Sequence, residues 1–437
     1  MKKYIIVAIA ATFALISCDK KSDAIDAEVS RQKANGKITY VDNVNVEIAQ
    51  AVAEGIYTDI KGNLSSVQIL SIDSMIDWNG KTAIYVFNFS PKGFVLTSAD
   101  IRNEPIIGYS KDGTFNANTD EMPEGLLYLL TETMIVNYWL QDTSDNYETQ
   151  YIISSNANQW ANEIQTFPTD KFVMNWHKWI IFPWNPCVNE PRTRVDTYEN
   201  TYGYYCQTQW NQGAPYNYYC PHKYPVGCVA VALGQIMRFY EHPNRNWSAM
   251  PNTTSRSYDY MTSGDHTLAH FLREAGNNVN MDYGADGSGA TDWMAAWALE
   301  YKYDYDKDLY KGNWNYSKIK NDIVSGKPVY VSGWANVKHP WYILGIPVHS
   351  DGHAYVIDGV QNLVRTYKYM CEGVEKTYKT NNELMHYNFG YNGSGDGWFS
   401  RSIIDDPAYN SDPDRYFFDR DAIRNETFRN FQYYGHF

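Results

Sequence analysis

Hydrophobic residues in the first half of the chain recur over short runs separated by turn residues. This pattern predicts β-strands, at Val67 to Ile72, Thr82 to Phe89, Gly93 to Ser98 and Pro105 to Tyr109. Two helices frame them, because apolar residues fall on one helical face from Val46 to Ala53 and fill most of Gly125 to Leu140. The pattern predicts a small α+β unit, and this unit contains no histidine or cysteine that would suggest catalysis.

The second half of the chain shows helices before strands. From Tyr224 to Tyr240, a proline and a glycine precede Cys228, and small and apolar residues follow it. This predicts a turn into a buried helix, which ends near Pro243 because proline cannot continue a helix. Thr291 to Tyr303 is predicted to form a further helix. Later runs predict strands at Pro328 to Gly333, His353 to Val360, Leu384 to Phe389 and Gly397 to Ser400.

The chain begins with a pattern typical of a bacterial export signal. Two lysines precede a short apolar run that ends at Cys18 in the sequence Leu-Ile-Ser-Cys, which is typical of a lipoprotein box. The alternative is an ordinary secretory peptide with a chance cysteine. We predict a signal peptide over residues 1–17 and a polar tether over residues 18–37. A lipid on Cys18 would anchor the exported protein in the cell envelope, at the outer membrane or the cell surface.

Charge and cysteine content narrow the function classes. The 437 residues carry a formal net charge of −13, which argues against nucleic acid as a partner and against a polybasic membrane patch. Apart from Cys18 and Cys228, four cysteines remain, and sequence does not choose among their three pairings. They are Cys187, Cys206, Cys220 and Cys371. No two cysteines have zinc-site spacing, so we expect no structural metal.

The residues around Cys228 and further along the chain offer what a nucleophilic thiol needs. A thiol at a helix N-terminus has a lowered pKa, because the helix dipole favours the thiolate. His353 opens an apolar strand and is a candidate base, and the side-chain carbonyl of Asn388 is expected to accept a hydrogen bond from its imidazole. The Gln212 amide and the Cys228 N–H are candidate oxyanion donors. The chain order Gln212, Cys228, His353, Asn388 is that of a papain-type thiol peptidase.

Several stretches resemble the streptopain family of cysteine peptidases. They are Trp-Asn-Gln-Gly-Ala-Pro-Tyr-Asn at 210–217, Gly-Cys-Val-Ala at 227–230, Gln-Ile-Met at 235–237, Met-Asp-Tyr-Gly at 281–284, Gly-His-Ala-Tyr-Val-Ile-Asp-Gly at 352–359 and Asn-Phe-Gly-Tyr at 388–391. The first unit resembles the inhibitory prodomain of that family, mainly at 85–88 and 93–100. The resemblance covers most of the chain after residue 40.

The resemblance implies a papain-like α+β catalytic domain, helices plus an antiparallel sheet, over residues 196–437. A small α+β inhibitory prodomain with a connecting arm would occupy residues 38–195. The implied activity is that of a zymogen of a cysteine endopeptidase, with polypeptide substrates and its own propeptide as an intramolecular inhibitor. No cofactor and no metal are implied.

The resemblance also implies residue roles. Cys228 would be the nucleophile, His353 the general base and acid, and Gln212 an oxyanion donor. Further residues are expected at the substrate site, namely Gly352, Ser288, Phe389 and Tyr391. The family usually carries Asn-Trp-Gly-Trp where this chain has Asn-Phe-Gly-Tyr at 388–391, so an indole N–H is lost at two positions. The Cys228–His353 pair is therefore the firmest part of the predicted site.

Two other function classes stay open from the sequence. One is a papain-like amidase or acyl transferase acting on cell-wall peptides, and the other is a non-catalytic surface binding protein on a peptidase fold. Residues 141–200 show little regular periodicity. Within them, the stretch around Arg192 and Arg194 is predicted to be turn-like and exposed, as either a processing site or an interdomain loop.

Overall fold

The structure is a computed structural model that describes residues 43–62, 66–77, 80–118, 122–142, 147–164, 192–306, 310–313, 315–333, 353–400 and 432–435. The predicted signal peptide and tether with Cys18 lie outside the described residues. Cys187, Gly352 and most of the chain after Ser400 also lie outside them.

The N-terminal part packs helices against a four-stranded antiparallel sheet. Helix α1 (Val46–Lys61) begins at Asn45, whose side chain accepts from the Ile48 N–H, and it ends at Gly62, where φ is 85°. The strands are β1 (Ile69–Ile76), β2 (Thr82–Phe89), β3 (Phe94–Ser98) and β4 (Ile106–Ser110). Helices α2 (Glu124–Asp142) and α3 (Tyr147–Ile164) follow. The predicted elements are confirmed, whereas α3 was missed because its helical face carries mixed polar residues.

The C-terminal part packs helices against both faces of a second set of strands. Its helices are α4 (Cys228–Tyr240), α5 (Ser263–Asn278), α6 (Asp292–Lys302) and α7 (Tyr316–Val324), and short strands β6 (Asp282–Tyr283) and β7 (Ser288–Gly289) form a hairpin. Its longer strands are β8 (Tyr310–Asn313), β9 (Val329–Gly333), β10 (His353–Cys371), β11 (Val374–Asn388), β12 (Gly397–Ser400) and β13 (Gln432–Gly435). Strand β13 lies between β8 and β9, which gives this part of the C-terminal tail a structural role.

The strands of both parts join in one 11-stranded antiparallel sheet. The junction is between β4 and β12, where Gly108 lies opposite Phe399. A Cβ on Gly108 would come within 2.6 Å of the Phe399 ring, so glycine permits this close contact. The N-terminal part is therefore attached to the C-terminal part by backbone hydrogen bonds as well as by side chains.

Strand β5 (Arg192–Gly203) corrects one prediction. It pairs antiparallel with β10, with Arg192 opposite Tyr369 and Gly203 opposite Gly359. The turn expected there is wrong, because a polar sequence can form a strand when a neighbouring strand supplies its backbone partners. The expected exposure is confirmed, for example at Val195, which is 48% exposed. Processing at Arg192 or Arg194 would require β5 to leave β10. The proposed domain boundary between residues 195 and 196 falls inside this strand.

Two further features of the fold are the state of its cysteines and the length and polarity of its helices. Cys206, Cys220 and Cys228 carry thiols. Cys371 is disulfide-bonded. Across the part of the chain that the structure describes, no helix combines the length and the apolar character needed to cross a membrane.

Candidate active site

Cys228 is the first residue of α4, and the preceding glycine makes this placement feasible. Gly227 has φ 93°, a conformation that side chains disfavour. A Cβ on Gly227 would approach the Met281 sulfur within 2.5 Å and the Ser288 carbonyl oxygen within 3.0 Å. The tight turn therefore presents Cys228, which is 9% exposed, at the positive end of the helix dipole. Ser288, expected at the substrate site, lies beside this turn.

Gln212 is held close to the start of the same helix. Its carbonyl accepts from the N–H of Val226, two residues before Cys228, at 2.9 Å. Its own N–H donates to Asn211 Oδ1 at 2.6 Å. Within the described residues the Gln212 side-chain amide makes no hydrogen bond, so its N–H donors are available to a developing oxyanion.

His353 opens β10, and its imidazole has a defined tautomer. The ring is buried, and Nε2 lies 3.3 Å from the Phe389 carbonyl oxygen. A carbonyl oxygen can only accept, so Nε2 must carry the proton and donate. The Nδ1 lone pair then remains for proton transfer, as a general base requires.

The first turn of α4 contacts the loop that faces His353. Gly390, next to Phe389, is so close to α4 that a Cβ on it would lie 2.9 Å from Val231 Cγ1. Burial raises the pKa of Tyr391, and the charges of Glu124 and Cys228 raise it further. The structure thus brings the helix of Cys228, the loop after β11 and His353 into one region.

Asn388 lies in this region but does not contact His353 in the described part of the chain. Its Nδ2 donates to the Thr208 carbonyl oxygen at 2.7 Å, and its Oδ1 accepts from the Gly390 N–H at 3.2 Å. The direct contact with the imidazole expected from the sequence is replaced by the Phe389 carbonyl. The reason is local, because the chain turns at Gly390, where φ is 72°, and the amide closes that turn.

The aromatic residues expected to contact substrate differ in exposure. The Phe389 ring is 1% exposed and packs on Tyr355, Tyr387 and Phe399, with ring centroids 5.5, 5.7 and 6.0 Å away. Phe389 is therefore a core residue in this form of the protein, whereas Tyr391 is partly exposed. Among the described residues, no group of three or more His, Cys, Asp or Glu side chains is arranged to hold a metal ion.

The N-terminal part covers the imidazole. A Cβ on Gly125, in the first turn of α2, would lie 2.7 Å from His353 Cδ2 and 3.0 Å from Tyr355 Cδ1. Glu124 Oε2 lies 3.8 Å from His353 Nδ1. The start of α2 therefore meets the ring at both edges. Gly125 lies against the Cδ2 edge, where the missing side chain allows the helix to come close, and the Glu124 carboxylate lies on the Nδ1 edge, from which the basic nitrogen would act.

Comparisons with known proteins identify the class of enzyme. Residues 210–246 and 244–399 match the sequence profile of the Peptidase C10 family, and residues 42–134 match that of the Spi protease inhibitor. Streptopain of Streptococcus pyogenes serotype M28 is 23% identical over an alignment of 403 residues, which covers 80% of this chain and 82% of streptopain. The chain is a cysteine peptidase.

Two further relatives cover different shares of this peptidase. The thiol protease/hemagglutinin PrtT of Porphyromonas gingivalis is 24% identical over an alignment of 359 residues, which covers 73% of this chain but 34% of PrtT. The solved structure of Prevotella intermedia prointerpain A fragment 39–359 has a TM-score of 0.49 and 16% identity, covering 84% of this chain and 98% of its own. The peptidase has the expected α+β architecture, with helices packed on an antiparallel sheet, and is a zymogen with an inhibitor-type prodomain.

Burial beneath the prodomain changes the titration of the peptidase's histidine. Burial lowers the pKa of His353 to about 4, although the Phe389 carbonyl opposes this shift. The imidazole is therefore neutral at pH 7. The side chain of the nearby Glu124 is 52% exposed, so water screens its charge and it does not hold the imidazole protonated. A thiolate–imidazolium pair is not favoured while the prodomain is in place.

Acid should weaken the docking of the prodomain on the peptidase. With the prodomain displaced, the pKa of His353 returns toward about 6.5, so the open state binds the proton more tightly than the closed state. The contribution of the neutral His353 to prodomain docking should be fully present above a pH of about 6.5. It should be lost as the pH drops toward about 4, which weakens docking by about 3 kcal/mol in total. Hydrogen exchange of residues 124–142 in the intact Cys228→Ala chain measures it. In a His353→Gln control, the extent of prodomain opening should not change between pH 6.5 and 5. If this control showed the same pH dependence, His353 would not be its cause.

Proposed function

We propose that the chain is the exported, membrane-anchored zymogen of a cysteine endopeptidase that uses Cys228 and His353. The observation that carries the proposal is the arrangement of His353. Its Nε2 donates to the Phe389 carbonyl, its Nδ1 lone pair is left for proton transfer, and the prodomain helix α2 covers that side. A histidine prepared as a base and blocked by an inhibitor-type prodomain is what a latent peptidase needs.

The reaction begins after the prodomain has moved away. Cys228 loses its proton to His353 Nδ1, and the thiolate attacks the carbonyl carbon of a peptide bond. The Gln212 amide and the Cys228 N–H stabilise the oxyanion, and one such donor typically contributes about 3–4 kcal/mol. His353 then protonates the leaving amine as the C–N bond breaks. Water, deprotonated by His353, hydrolyses the thioester and returns the Cys228 thiol.

Membrane anchoring is supported by the N-terminal pattern that ends at Cys18. The lipid lies on the prodomain side of the chain, so proteolytic maturation would release the catalytic domain unless the prodomain stays bound. Cys18→Ala should move the intact chain from the membrane fraction to the soluble fraction of a cell. An unchanged distribution would contradict lipidation at this residue.

A labelling experiment tests the proposed chemistry. The processed protein is treated with a thiol-reactive peptidyl inhibitor under reducing conditions, and an unfolded polypeptide and a cell-wall peptide are offered as substrates. We expect stoichiometric labelling at Cys228, cleavage of internal bonds of the polypeptide, and loss of both in Cys228→Ala. Cys220→Ala, which removes another buried thiol, is the matched control. Cleavage of only the cell-wall peptide would indicate the amidase, and absence of labelling would indicate a binding protein.

A further inference from the structure

Two side chains hold consecutive peptide units of the loop that follows β11. Asn388 Oδ1 accepts from the Gly390 N–H at 3.2 Å, and Asp396 Oδ1 accepts from the Phe389 N–H at 2.8 Å. Both side chains belong to buried residues, with 1% exposure for Asn388 and 7% for Asp396. The backbone on either side of Phe389 is therefore fixed by side-chain acceptors rather than by strand pairing.

One of these peptide units is the unit that faces the imidazole. The Gly390 N–H and the Phe389 carbonyl belong to the same peptide group, which is not among the cis bonds of the described chain. In a trans peptide the N–H and the C=O point in opposite directions. By holding the N–H, Asn388 determines where the carbonyl points, and the carbonyl oxygen lies 3.3 Å from His353 Nε2.

The Asn388 side chain is itself anchored to another part of the catalytic domain. Asn388 Nδ2 donates to the Thr208 carbonyl at 2.7 Å. Burial raises the pKa of Asp396 to about 7, while the Phe389 N–H and the nearby His386 oppose this shift. Gly390 packs against Val231 on α4, the helix that begins with Cys228. The loop therefore connects the helix of the nucleophile with the ring of the base.

We infer that Asn388 and Asp396 are positioning residues for the peptidase reaction, which orient His353 through the backbone at Phe389. The inference rests on the proposed role of His353 as the base. It also explains how phenylalanine can stand where tryptophan was expected, because a backbone carbonyl does not depend on the side chain of its residue. The orientation function assigned to Asn388 is thus retained, but it is exerted through the Phe389–Gly390 peptide.

Removal of either acceptor should act on turnover more than on substrate binding. In Asn388→Ala and Asp396→Ala the carbonyl loses its fixed direction, and kcat should fall roughly 10- to 100-fold while KM changes less than about threefold. Asp396→Asn keeps an oxygen for the Phe389 N–H and should retain most of kcat. Loss of the carbonyl also destabilises the imidazolium, so the alkaline limb of kcat/KM should move to lower pH in Asn388→Ala.

The test uses intact chains that are processed by tagged wild-type enzyme, which is then removed. Asp265→Ala is the matched control, because Asp265 is also a buried aspartate that accepts a backbone N–H, from Thr262 at 2.7 Å. It should lose thermal stability but keep kcat and the alkaline limb. If Asn388→Ala does not fold, Asp396→Ala and Asp396→Asn carry the test.

Two outcomes would overturn the inference. The first is that Asn388→Ala has the wild-type kcat and the wild-type alkaline limb of kcat/KM. If that variant does not fold, the corresponding outcome is a wild-type kcat in Asp396→Ala. The other is equal impairment of Asp396→Asn and Asp396→Ala, since the rescue depends on the retained acceptor oxygen. Failure of the proposed function looks different, because the processed wild-type protein would then neither cleave the polypeptide nor be labelled at Cys228.

Discussion

Replacement of His353 by alanine should lower kcat/KM of the processed peptidase for a polypeptide by at least about 10³-fold. In the proposed mechanism two steps lose their proton carrier together, because His353 is assigned both the deprotonation of Cys228 and the protonation of the leaving amine. The Phe389 carbonyl cannot substitute, since it only accepts hydrogen bonds. The Gln212 amide and the Cys228 N–H remain, so activity above the uncatalysed rate should persist.

Steady-state kinetics and the pH dependence of Cys228 alkylation measure this effect. Alkylation of the wild-type enzyme should proceed well below the ordinary thiol pKa of about 8.5, and His353→Ala should move the profile toward that value. His242→Ala is a suitable control, because His242 Nε2 also lies close to a backbone carbonyl oxygen, that of Tyr303, at 2.8 Å. A His353→Ala enzyme within about tenfold of wild type would exclude His353 as the base.

Replacement of Glu163 by alanine should remove the latency of the intact chain. Glu163, on α3, forms an ion pair with Arg365, on β10, at 2.7 Å, and their side chains are 3% and 0% exposed. The Tyr367 hydroxyl also donates to Glu163, at 2.6 Å. Loss of one partner leaves a buried charge uncompensated, which costs about 3–5 kcal/mol. The docking of the prodomain on the catalytic domain should therefore weaken roughly 10²- to 10³-fold.

The rate of inhibitor labelling at Cys228 before any processing measures latency. Lys111→Ala is the matched control, because the Lys111–Glu199 pair also joins the two parts, at 2.8 Å, but is partly exposed. Its loss should change the labelling rate less than about fivefold. The double variant Glu163→Leu with Arg365→Met should recover much of the latency, since apolar side chains can replace a buried ion pair. A Glu163→Ala chain no faster than Lys111→Ala would contradict this role.

Local sequence patterns correctly predicted those elements that are determined by residues close together in the sequence. Strands β2 and β12 have the predicted bounds, and α4 begins at Cys228 as the turn residues indicated. Gly227 shows why, because its positive φ and the missing Cβ are local properties that a sequence displays directly. Strand β5 and the long extensions of β10 and β11 were missed, since their polar residues form strands only through each other's backbone groups.

The sequence by itself determined the α+β class and the candidate residues Gln212, Cys228 and His353, because residue types and glycine-bounded turns are encoded locally. Only the tertiary structure decided which acceptor faces the imidazole. Asn388 and the Phe389 carbonyl are adjacent in sequence, and the turn at Gly390 directs the carbonyl rather than the side chain toward His353. The contact of Glu124 with His353 and the pairing of Glu163 with Arg365 join distant segments. Such pairs depend on how the sheet and helices pack, and no local pattern specifies them.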